Sequence, residues 1–132
     1  KYFTDLGYRL KFGKSNELKW GPIAGLPEQR ADDIHEMFAS SDIKAIFCAR
    51  GGYGANRVLP LLDYNLIKEN PKIFIGYSDI TAMLTSITQK TSMVTFHGPM
   101  LTTYKDSWVE YNYSLMQRVL SGEKFIKIFK QN

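Results

Sequence analysis

The sequence has 132 residues, enough for one compact domain and too few for two of ordinary size. Its 44% hydrophobic and 14% aromatic content is that of an ordinary globular core. No apolar run approaches the ~20 residues of a membrane-spanning helix, and the order of residues is not that of a signal peptide.

The formal charge of +4 comes from scattered lysines, with a mild cluster over Lys124–Lys130. No basic stripe alternates with stacking aromatics, so neither nucleic acid nor a membrane is expected as a partner. The one cysteine, Cys48, sits in the apolar run Ala45–Ala49 and reads as a small buried hydrophobe. A lone cysteine fits a reducing compartment, and a cytoplasmic location is the expectation. Two histidines without a CxxC or HExxH pattern leave no zinc site, so no metal or other cofactor is expected.

In chain order, the opening residues read like the tail of an element that begins earlier. Tyr8–Phe12, framed by Gly7 and Gly13, predicts a short strand, and Lys14–Gly25 a loop. Pro27 in a first turn, then Ala31, Ile34, Met37 and Phe38 at helical spacing, predict an amphipathic helix over Pro27–Ala39 that carries a structural His35. Lys44–Ala49 is a continuous apolar run, as in a strand covered on both faces. After Arg50-Gly51-Gly52-Tyr53-Gly54, a helical pattern spans Ala55–Leu62, and Asn65–Glu69 predicts a further turn. Ile73–Tyr77 predicts the next strand, Asp79–Lys90 the clearest helix, and Met93–Phe96 another strand ending at His97-Gly98-Pro99. Tyr111–Leu120 reads as a helix and Phe125–Phe129 as an edge strand. Such alternation implies an α/β fold, an open and mainly parallel sheet with helices on both faces, three layers in the flavodoxin or Rossmann manner.

Sites in open α/β sheets form at the carboxyl ends of strands, and two such ends carry unusual residues. At Gly76-Tyr77-Ser78-Asp79, a serine lies between a strand and a helix, where a nucleophile elbow would expose its hydroxyl beside backbone N–H groups. The match to G-x-S-x-G is partial, because Ile80 stands where the second glycine would be. Ser-Asp ahead of an apolar helix is equally a capping pair. The Arg50–Gly54 turn reads as a phosphate cradle, as a second oxyanion donor or as a tight turn only. Arg50 would hold either a substrate carboxylate or a neighbouring group. His97 ends a strand at the same sheet edge and is a candidate base for Ser78.

Five stretches then carry a resemblance: Gly25–Arg30, Ala45–Gly54, Leu59–Tyr64, Pro71–Thr81 and Phe96–Met100. They resemble the LD-carboxypeptidase family of bacterial serine peptidases, which includes murein tetrapeptide carboxypeptidases and microcin C immunity proteins. The resemblance covers roughly residues 2–101. It implies Ser78 as nucleophile, with the oxyanion held by the N–H of Asp79 and of Gly51 or Gly52. Arg50, Tyr53, Tyr77 and His97 become site-lining candidates. It also implies a Ser-Glu-His triad whose Glu and His lie in a C-terminal domain, which removes His97 as the base. On that reading the chain is the N-terminal domain, without the family's first strand and without its C-terminal domain. The implied substrate is a peptide, the murein tetrapeptide in cell-wall recycling or a microcin-type peptidyl-nucleotide, and a homodimer is implied as well. A non-catalytic binding module, or an interaction domain that has lost its catalytic half, are the rival readings.

Overall fold

The computed structural model describes residues 2–103 and 110–123. Three parallel strands form one sheet in the order β1 (Ala45–Phe47), β2 (Ile73–Gly76), β3 (Phe96–His97). The register pairs Ala45 with Ile73, Ile46 with Phe74 and Phe47 with Ile75, and then Ile75 with Phe96 and Gly76 with His97. The helices are α1 (Tyr2–Asp5), α2 (Pro27–Ala39), α3 (Ala55–Val58), α4 (Tyr64–Glu69), α5 (Thr81–Thr91) and α6 (Glu110–Leu120). The expected α/β fold with an open parallel sheet is what the chain adopts. The Phe125–Phe129 strand and the Lys124–Lys130 cluster lie outside the described residues.

Each step across the sheet runs in one direction, so crossovers of one hand place α3, α4 and α5 on one face. Contacts of α4 and α3 with α5, and of α2 with α3 and α4, join them into a layer. Because strand side chains alternate, Ile46 and Phe74 point into this layer while Phe47 and Ile75 point the other way. Phe74 and Phe38 of α2 stack with ring centroids 6.0 Å apart, both fully buried. Val58, Ile67 and Ile87 complete the centre of this core. On the opposite face the Phe3 ring of α1 packs against Phe47 at 4.9 Å.

Helix α2 has the predicted bounds, Pro27–Ala39. Its start is fixed by Pro27 and by Gln29, whose Oε1 accepts the Leu26 N–H at 2.8 Å. It also organises its surroundings. Asp33 accepts the N–H groups of Lys14 and Ser15 at 2.9 and 2.7 Å, and so starts a 3-10 turn over Lys14–Glu17. His35 Nε2 accepts the Asp63 N–H at 2.8 Å, and Asp63 in turn caps α4 through Asn65 and Leu66. His35 is thus the partly buried structural histidine that its helix position suggested.

Two expected strands are not found where the sequence placed them. Tyr8–Phe12 is not a strand: Tyr8, Leu10 and Phe12 are 61%, 45% and 64% exposed, and among the described residues no strand lies beside them. A short run framed by glycines does not make a strand without a partner to accept its ladder. The strand expected at Met93–Phe96 is displaced to Phe96–His97. Ser92 ends α5 in the left-handed conformation, and the Thr95 hydroxyl is held to α5 by Leu84 O and Thr88 Oγ1, so the chain reaches β2 only at Phe96.

Candidate active site

The carboxyl ends of β1 and β2 open into a cleft of about 420 Å³. Ser78, Gly51, Gly52 and Arg50 line it, with Tyr53 and Tyr77 at its sides. Sequence reasoning missed three other lining residues, Pro22, Met100 and Thr102. Met100 and Thr102 follow the His97-Gly98-Pro99 motif, and their segment crosses the end of β1. There Leu101 donates to Cys48 O at 3.2 Å and Thr102 to Ala49 O at 3.1 Å.

Tyr77 continues β2 in extended geometry, and Ser78 then turns to φ 61° before a 3-10 turn, Ser78–Ile80, leads into α5. A left-handed conformation costs a residue with a Cβ about 1–2 kcal/mol. The reversal is made possible by Gly76: a Cβ there would lie 2.6 Å from Ile80 Cγ2. The isoleucine that spoiled the G-x-S-x-G match therefore fills the space over the first glycine of the same motif.

Neither Ser78 nor Asp79 caps its own helix, which corrects the capping reading: no side-chain cap bond forms at Tyr77 or Ile80. Asp79 instead reaches across to the other turn, where Oδ2 accepts the Ala55 N–H at the start of α3 at 2.9 Å. The elbow and the glycine-rich turn are thereby joined. The two turns also lie close together, because a Cβ on Gly51 would stand 3.0 Å from Ser78 Cβ and 3.2 Å from Ser78 Oγ. A side chain at position 51 would therefore press on the serine.

Beneath the turn, Arg30 packs against Gly54, with Nη1 buried and without a hydrogen-bond partner among the described residues. Arg50 lies at the surface, its Nη2 donating to Pro22 O at 3.4 Å. Although Cys48 as a residue is only partly buried, burial pushes its thiol up to about 12, against the opposing pull of Arg30. It is a protonated, structural thiol, as its apolar run implied. His97 lies beside Tyr77, ring centroids 6.3 Å apart, and is not part of the cleft lining. Among the described residues neither histidine engages Ser78: His35 accepts from Asp63, and His97 meets Tyr77.

Fold and site together define an α/β protein with a left-handed serine at a strand-to-helix turn, under a glycine-rich loop. Residues 1–98 match the LD-carboxypeptidase N-terminal domain, and the chain belongs to the LD-carboxypeptidase family. It is 47% identical to a probable murein peptide carboxypeptidase of Bacillus subtilis over 102 residues, 77% of this chain and 32% of that protein. To the microcin C7 self-immunity protein MccF of Escherichia coli it is 42% identical over 95 residues, 72% of this chain and 28% of that one. The structure of MccF in its wild-type apo state superposes with a TM-score of 0.88 at 34% identity, over 94% of this chain and 38% of that chain. The chain thus spans about a third of the length of these curated relatives.

Proposed function

We propose that this chain is the nucleophile-bearing domain of a serine carboxypeptidase that hydrolyses the L,D amide bond to the terminal D-Ala of a murein tetrapeptide. The observation that carries the reading is Ser78, held at φ 61° with the turn at Gly51 close to its hydroxyl. Ser78 Oγ attacks the amide carbon. The oxyanion is received by the N–H of Asp79, one of the unpaired donors at a helical start, and by that of Gly51 or Gly52. A histidine oriented by a glutamate, both in a further domain, takes the hydroxyl proton and passes it to the leaving nitrogen. D-Ala departs, and water attacks the acyl-serine to release the shortened peptide and restore Ser78. No cofactor enters this cycle, which belongs to peptidoglycan recycling in the cytoplasm.

The likeness to MccF supports a second reading on the same serine, a self-immunity peptidase that cleaves a peptidyl-nucleotide amide. Turnover of the two substrate classes by the intact protein separates them. The catalytic reading itself is tested with a fluorophosphonate probe. Labelling of the intact protein that disappears in Ser78→Ala is the expected result; a folded protein that takes no label is instead a binding module.

A further inference from the structure

We propose that the guanidinium of Arg50 binds the free carboxylate of the residue that leaves, which makes this cleft one for chain ends. The inference rests on the carboxypeptidase reading and names the group that selects its substrate.

Among the described residues that line the cleft, Arg50 is the only charged one. Its single hydrogen bond there is the contact with Pro22 O, at 3.4 Å, near the outer limit for such a bond. The described ion pairs join Lys11 and Lys14 to Glu36 and Arg118 to Glu123, so none of them occupies Arg50. A guanidinium carries five N–H donors in a planar fork that matches a carboxylate in bidentate fashion. Most of that fork is therefore without a partner among the described residues, on a side chain that lines the cleft. The nearby Asp79 carboxylate is engaged by the Ala55 N–H, and the unpaired Arg30 Nη1 under Gly54 adds positive charge to the same turn.

Position agrees with chemistry. In a peptide the carbon attacked and the carboxylate carbon of the next residue are separated by under about 4 Å. A carboxylate anchor must accordingly stand beside the nucleophile. Arg50 directly precedes Gly51, where a side chain would press on Ser78, so the cation is attached to the turn that lies beside the hydroxyl. A peptide that continues past the cleaved bond presents a neutral amide at this point and leaves the fork unmatched.

The test is calorimetric, on the intact protein with Ser78→Ala so that nothing is turned over. The ligands are a tetrapeptide ending in D-Ala and its C-terminal carboxamide. The acid should bind at least about ten-fold more tightly than the amide. Adding Arg50→Gln should abolish the preference while leaving amide binding and melting temperature unchanged, and Arg50→Lys should restore part of it. A preference that survives Arg50→Gln overturns the proposal. So does an equal loss for both ligands, which would mark a structural bond to Pro22, or a Ser78→Ala protein that does not favour the acid. Fluorophosphonate labelling of the wild-type protein checks the nucleophile independently of Arg50, since the probe has no carboxylate. Absence of labelling in the wild-type protein would instead sink the serine-peptidase reading, and the calorimetry still reports on Arg50.

Discussion

At residue 78 the strain and the proposed chemistry coincide. With φ at 61°, a serine keeps its Cβ where glycine would be at ease. Ser78→Gly should therefore be more stable than Ser78→Ala by about 1 kcal/mol in chemical denaturation, while neither reacts with the fluorophosphonate. Equal stabilities would mean that the turn relaxes and stores no strain. Gly76 makes the opposite prediction. Its missing Cβ is replaced by Ile80 Cγ2, so Gly76→Ala should cost about 1–3 kcal/mol through overpacking. Gly76→Ala/Ile80→Ala should recover part of that loss. A double variant no better than the sum of its singles would show that the two residues do not share the space.

Among the elements, the link that matters most joins two turns far apart in sequence. The Asp79 carboxylate supplies the first N–H of α3 with an acceptor, so the glycine-rich turn is held from the elbow. Asp79→Ala should cost about 1 kcal/mol in stability and slow fluorophosphonate labelling of the intact protein, and Asp79→Asn, which keeps an acceptor, should do neither. Labelling at the wild-type rate in Asp79→Ala would mean that the turn holds its place unaided. Nothing in the sequence near Asp79 reveals this contact, because Ser-Asp before an apolar helix reads as a local cap. What was legible was periodic. The Pro27–Ala39 spacing gave α2 to the residue, and the apolar runs around Ile46 and Phe74 gave β1 and β2. Tyr8–Phe12 misled, since a strand is a property of two segments and a glycine-framed run describes one. Met100 and Thr102 were hidden for the same reason: their segment is brought to the cleft by bonds from Leu101 to Cys48 O and from Thr102 to Ala49 O that no local pattern encodes.

For the whole molecule, the parallel sheet places the strand ends proposed to carry chemistry on one edge, where the described residues form the cleft. Serine without a base is a weak nucleophile at neutral pH. If the histidine and glutamate come from a further domain, the isolated 132-residue chain should fail to turn over an L,D-linked tetrapeptide that the intact protein hydrolyses. Comparable turnover by the isolated chain would place the base within it and reopen the case for His97.

The tight fit of Gly51 against Ser78 has a consequence for descent. In a lineage that abandons hydrolysis, selection for the hydroxyl ends, and glycine or asparagine becomes the comfortable occupant of position 78. Once glycine stands there, the Ser78 Cβ that excluded a side chain at position 51 is gone, and that glycine too is free to drift. Gly76 and Asp79 have no such release, because Ile80 and the start of α3 still depend on them. Paired change at 51 and 78 over an unchanged 76 and 79 is thus the signature by which a lapsed member of this family can be told from a working one.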